Sequence, residues 1–105
     1  QLLPGLLDTI NGIKSKYSSF KIGTTTGFSR DMVNILIENG NKQGYYPDST
    51  IAGDDVRNNL GNRPSPFMIY ENLLNLGIYP IESVFKIDDC IEGIYEGINA
   101  GCWSI

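Results

Sequence analysis

The 105-residue sequence contains no histidine. That absence removes imidazole acid–base chemistry, the usual serine and cysteine triads and most zinc centres from what this chain can do alone. Cysteine is scarce: Cys90 and Cys102 form neither a disulfide framework nor a zinc-ligand pattern, and they read as reduced thiols in a cytoplasmic protein. Basic residues are few. Eight Lys and Arg against twelve Asp and Glu give a net charge of −4, with no basic patch to neutralise a nucleic-acid backbone, so no nucleic-acid partner is expected. No apolar run approaches the roughly 20 residues of a membrane span, so no membrane partner is expected either. No secretion signal is visible. The chain opens on Gln1 rather than methionine, which reads as a truncated, processed or incompletely supplied sequence.

What is present fits a folded protein. An apolar fraction of 41% with 19% charged residues lies in the globular range. The length allows one modest domain with a thin stability margin.

Apolar periodicity predicts a helix over Gly5–Lys16, with Leu6, Leu7, Ile10 and Ile13 on one face. A short strand is expected at Ser18–Ile22, followed by the polar run Gly23–Gly27. Ser29 is placed to cap a second helix, with Asp31 in its first turn and Met32, Val33, Leu36 and Ile37 on one face, ending near Asn39–Gly44. Asp48–Ala52 reads as a weak strand, and Pro64 and Pro66 close the polar loop after it. A third helix runs from Pro66 or Phe67 to Leu76, carrying Met68, Ile69, Leu73, Leu74 and Leu76, and Gly77 stops it. Ser83–Ile87 reads as a buried strand, Cys90–Asn99 as a helix with Ile91, Ile94, Tyr95 and Ile98 inside, and Cys102–Ile105 as a last strand. Strands alternating with helices imply an α/β fold, a parallel sheet flanked by helices, with ligands at the carboxyl ends of the strands.

Three polar clusters fall at those ends. Thr24, Thr25 and Thr26, with Gly27, offer hydroxyls and amides that could hold a phosphate near a helix amino end, or could simply cap that helix. Arg63, beside Pro64, could pair with a phosphoryl oxygen or orient a carboxylate; the alternative is an exposed surface arginine. Asp88 and Asp89 end an apolar strand, where a magnesium ion would compensate their charge, although solvated turn acids would look the same. Asp54 and Asp55 read as loop surface, and Lys21 and Lys86 as snorkelling or solvated.

The order of these clusters is more specific than any one of them. A threonine loop after one strand, an arginine after the next and an aspartate after the third resemble the second, third and fourth motifs of the haloacid-dehalogenase superfamily. Within it, Lys21–Met32, Gly44–Asp48, Asp54-Asp55-Val56, Arg63–Pro66, Leu76–Pro80 and Asn99–Trp103 resemble the phosphonoacetaldehyde hydrolases, from about Lys14 to Ile105. The resemblance implies a partial Rossmann-like core in which the intact enzyme cleaves the carbon–phosphorus bond of phosphonoacetaldehyde to acetaldehyde and phosphate, with Mg2+. It implies an aspartate nucleophile and a cap-domain lysine that forms a Schiff base with the aldehyde. Carried onto this chain, Thr24 or Thr25 touches the phosphoryl group, Arg63 neutralises its charge and Asp89 is a magnesium ligand.

The sequence departs from that pattern in ways that matter. No nucleophile motif is found, Asp8 lies in a helix-like stretch, and no cap with its lysine is present, so the chain reads as a single partial core domain, inactive alone. Asp88 stands where the family has glycine, and Gly93 stands where a second acid is expected. Glu92 is adjacent to Gly93 and is a weaker candidate to substitute as a metal ligand, although one residue along a helix turns a side chain by about 100°. The readings left open are part of a phosphonatase whose partner is the rest of its own enzyme, a non-catalytic remnant or small α/β binding module, and a phosphatase of small phosphate esters.

Overall fold

A computed structural model describes residues 2–105; Gln1, on which the reading of a truncated start rests, lies outside them. The elements are α1 (Leu6–Lys16), β1 (Gly23–Thr26), α2 (Arg30–Lys42), β2 (Ser49–Ala52), α3 (Phe67–Leu76), β3 (Phe85–Lys86), α4 (Ile91–Ala100) and β4 (Trp103–Ser104), with short 3-10 turns between. The fold is α/β with parallel strands flanked by helices, in the alternating order that the periodicity predicts.

The sheet comes in two pieces. β1 pairs with β2 and β3 with β4, both parallel, and no backbone hydrogen bond joins the two pairs among the described residues. α3 packs on β1 and β2, whereas α4 packs on β3 and β4.

The first strand is not where apolar residues predict it. Ser18–Ile22 is turn and irregular chain, and the strand is the polar Gly23–Thr26 instead. β-branched threonines suit a pleated, half-buried surface as well as aliphatic residues do. The Thr24 hydroxyl donates to the Thr50 hydroxyl at 2.7 Å directly across the ladder. Helix ends follow local rules: Ser29 Oγ accepts from the Met32 amide at 3.4 Å, and Gly77 ends α3 in the left-handed region at φ 66°.

The core is small. Ile51, Val56 and Met68 form its buried cluster, with Val33 and Ile69 buried nearby. Asn72 joins α3 to both strands: its Nδ2 donates to Thr24 O at 2.8 Å, its Oδ1 accepts from Ser49 Oγ at 2.6 Å, and Gly23 leaves room for it.

Several apolar residues of the predicted helices point out. Met32, Leu36 and Leu74 are exposed, and in α2 only Val33 and Gly40 are buried. In α4 the buried positions are Gly93, Glu96, Gly97 and Ala100, while Ile91, Tyr95 and Ile98 face away. The reason is steric. A side chain at Gly97 would come within 2.6 Å of Lys86 Cβ, so α4 approaches β3 too closely for isoleucine on that face.

These positions predict a contrast in stability. Met68→Ala, at a site with no exposure, should cost about 2–5 kcal/mol of unfolding free energy. Leu74→Ala, at a 77% exposed site, should cost less than about 0.5 kcal/mol. Urea denaturation of the intact protein measures both, and equal losses would contradict the assigned core.

Candidate active site

The loop after β2 delivers Arg63, and its path is set by close backbone approach. A Cβ at Gly61 would lie 2.0 Å from Gly53 O, so only glycine allows the loop to fold over the end of β2. The loop is tied to α4 by Asn99 Nδ2, which donates to Pro64 O at 2.9 Å. Arg63 thereby reaches across to β1 and α4.

Its Nε and Nη2 are engaged by the protein. Nε donates to Glu96 Oε1 at 3.0 Å, and Nη2 donates to Thr25 O at 2.9 Å and to Thr25 Oγ1 at 3.3 Å. Nη2 also pairs with Asp88 Oδ2 at 3.3 Å, and Nη1 lies 3.9 Å from Cys90 Sγ. Arg63 is thus half-buried at the junction of the two strand pairs, not a surface arginine.

Glu96 is the centre of the cluster. It is completely buried, and its Oε1 also accepts from the Thr25 hydroxyl at 3.1 Å and lies 3.6 Å from Lys86 Nζ. Its Oε2 has no hydrogen-bond partner among the described residues. Lys86 Nζ donates to Asp88 Oδ2 at 2.7 Å, and Asp88 Oδ1 accepts from the amides of Asp89 at 2.8 Å and Cys90 at 3.1 Å. Burial pushes the Asp88 carboxyl up, but Lys86 and the Cys90 bonds outweigh it and hold the group well below the usual carboxylate range. Burial and the nearby Glu96 charge raise the Cys102 thiol. Two cations and two carboxylates therefore meet between Thr25 and α4, with no formal net charge.

The three threonines diverge because successive side chains in a strand face opposite ways. Thr25 alone turns its hydroxyl toward Arg63 and Glu96. Thr24 is bonded to Thr50 across the ladder, and Thr26 Oγ1 accepts from the Phe28 amide at 3.2 Å in the following turn. Gly27 is exposed and lines a shallow cleft of about 210 Å³ with Ser29, Gly53, Asp54 and Gly61.

Of the acids expected to bind metal, Asp88 and Asp89 lie together with Cys90, their ligand atoms within 4.8 Å of one another, while Glu92 is exposed and outside this group. The donor set does not make a Mg2+ site unaided. Asp88 is taken up by Lys86, Arg63 and two amides, and the Cys90 sulfur is too soft for a cation that prefers oxygen. Asp89 is the one exposed hard-oxygen ligand of the group.

Sequence reasoning missed two features here. Lys86 is neither solvated nor snorkelling, and Glu96 escaped notice although it shares the small-residue stripe of Gly93, Gly97 and Ala100 at helical spacing. Asp54 and Asp55 are more than loop surface: Asp54 Oδ1 accepts from the Arg30 amide at 2.8 Å, and Asp55 forms a bidentate pair with the Arg30 guanidinium. That pair holds the Asp55 carboxyl below the usual range and raises Arg30.

Parallel α/β elements present a threonine, an arginine and an aspartate beyond successive strands, in the order of the haloacid-dehalogenase-type cores that the sequence resembles. More particularly, the chain is homologous over its whole length to the phosphonoacetaldehyde hydrolases. It is 43% identical over 105 residues to a phosphonoacetaldehyde hydrolase of Syntrophobacter fumaroxidans, matching 100% of this chain and 36% of the relative. It is 38% identical over 109 residues to that of Bacillus cereus, matching 99% of this chain and 40% of the relative. The crystal structure of a phosphonoacetaldehyde hydrolase-like protein from Oleispira antarctica superposes with a TM-score of 0.89 at 32% identity, over 99% of this chain and 36% of that one. The chain thus spans little more than a third of the length of these relatives. No protein-family model matches it. No helix among the described residues is long and apolar enough to cross a membrane.

Two substitutions check the site's electrostatics. Glu96→Gln leaves Arg63 and Lys86 short of a buried counter-charge and should cost about 3–5 kcal/mol, as breaking a buried pair does; chemical denaturation reads it. Asp55→Asn should flatten the acid limb of the stability curve. A depressed carboxyl contributes stability above its unfolded value, near about 3.9, and loses it as pH falls through the folded value. An unchanged acid limb would show that Asp55 carries none of it.

Proposed function

We propose that the chain is the phosphoryl-binding part of the core of a phosphonoacetaldehyde hydrolase, an enzyme that in its intact form hydrolyses phosphonoacetaldehyde to acetaldehyde and phosphate. The observation that carries this reading is the meeting of Thr25 and Arg63 at the Asp88–Cys90 turn, which carries Asp89, in a chain homologous throughout to that family. Arg63 supplies a planar, permanently charged donor suited to phosphoryl oxygens, and the Thr25 hydroxyl can turn from Glu96 to donate to one of them. Thr24, Thr26 and Gly27 then shape the turn rather than touch the substrate.

Magnesium would draw on Asp89, and its remaining ligands would come from water and from parts of the enzyme outside this chain. Asp88 and Glu92 take no part in that set. The nucleophilic aspartate and the imine-forming lysine would likewise be supplied by the rest of the protein, which is this chain's natural partner. The split between the two strand pairs, and a Glu96 Oε2 with no partner among the described residues, support a segment seated between them. The two free cysteines fit a cytoplasmic setting.

A second reading, a non-catalytic binding module, is favoured by the exposed Ile91, Tyr95 and Ile98 on α4 and by the bonds that hold Arg63 to Glu96 and Thr25. One assay separates the two. The intact protein with Mg2+ should release acetaldehyde and phosphate in equal amounts from phosphonoacetaldehyde. Arg63→Ala should lower kcat/KM by about 10²–10³-fold, as loss of a transition-state donor does. Residues 1–105 alone should show no turnover. Phosphate release from small esters but not from phosphonoacetaldehyde would make the protein an ester phosphatase; no turnover of either would leave the binding module.

A further inference from the structure

Gly93 lies in the first turn of α4 with an ordinary negative φ, so its backbone does not require glycine. Glycine inside a helix costs about 1 kcal/mol relative to alanine, which calls for a local reason. The reason is a carboxylate. A Cβ at position 93 would lie 2.0 Å from Asp88 Oδ2 and 2.2 Å from Asp88 Cγ. One turn on, a Cβ at Gly97 would collide with Lys86. Residues 86 and 88 are two apart on an extended segment, glycines 93 and 97 are four apart on the helix, and each side chain of the first pair lies over a glycine of the second.

We propose that Asp88 is the internal counter-ion of Arg63 and Lys86, seated in the space a side chain at position 93 would fill, and that it ligates no metal. Its Oδ2 lies 2.7 Å from Lys86 Nζ and 3.3 Å from Arg63 Nη2, and its Oδ1 is held by the Asp89 and Cys90 amides. The carboxylate is thus aimed at the two cations by bonds from its own turn, and it occupies the place beside Arg63 that an incoming anion would want. With Glu96 it brings the four-residue cluster to neutrality. Asp88 is a positioning residue, and it sets how strongly the site attracts a phosphoryl group; this last point rests on the reading of Arg63 as the phosphoryl contact.

The test uses the intact protein and two independent readouts. In thermal unfolding, Gly93→Ala should lower Tm by several degrees when Asp88 is present and raise it in the Asp88→Gly background, where the helix gains from alanine and the collision is gone. A rise or no change with Asp88 present would overturn the pairing. In binding, Asp88→Asn takes the cluster from neutral to a charge of +1. Inorganic phosphate should then bind about three- to tenfold more tightly at low salt. Mn2+, read by paramagnetic resonance, should bind within about twofold of the unsubstituted protein. Unchanged phosphate affinity would overturn the counter-ion role, and a tenfold loss of Mn2+ affinity would make Asp88 a metal ligand. Absence of phosphate binding in every variant would overturn Arg63 as the phosphoryl contact, and the unfolding cycle would still judge the Asp88–Gly93 pair.

Discussion

The Glu96 carboxylate is reached from both strand pairs, and the arrangement of the molecule follows from that. Thr25 belongs to the first pair and Lys86 to the second, Arg63 comes from the loop between, and all three converge on one oxygen of a side chain with no exposure. Where backbone ladders are missing, this buried polar junction takes their place. Buried charges are stable only when paired and hydrogen-bonded, so position 96 constrains what stands at 25, 63 and 86. The same requirement ties geometry to the proposed chemistry, since two of the residues that close the junction, Thr25 and Arg63, are those proposed to meet the phosphoryl group.

Close approach is the second constraint, and it works through glycine at a few positions. Gly61 lets the arginine loop fold over β2, while Gly93 and Gly97 let α4 descend onto residues 86 and 88. α4 therefore presents small residues and one glutamate inward, with Ile94 half-buried and Ile91, Tyr95 and Ile98 outward. That inversion leaves an apolar face where an ordinary amphipathic helix would show a polar one.

Family likeness and local departure meet at the end of β3. The chain matches phosphonoacetaldehyde hydrolases along its whole length, yet the acid expected on the helix is missing and another acid stands five residues earlier, in the turn. In space the two departures meet, because the Asp88 carboxylate lies over Gly93. The acid stands in the loop rather than on the helix, beside the two cations Lys86 and Arg63.

Much of this protein was legible from residues alone. The alternation of helices and strands follows from apolar periodicity, the Ser29 cap and the Gly77 stop from local hydrogen bonding and backbone freedom, and the likeness to phosphonoacetaldehyde hydrolases from Thr24–Gly27, Arg63–Pro66 and Asp89 in order. These are short-range or one-dimensional properties, so a sequence can carry them. Which threonine turns to Arg63, why α4 hides Glu96 rather than isoleucine, and why glycine stands at 93 were decided only in the tertiary structure. Each depends on the distance between segments far apart in the chain, where a buried charge must find its partner and two backbones approach until no side chain fits.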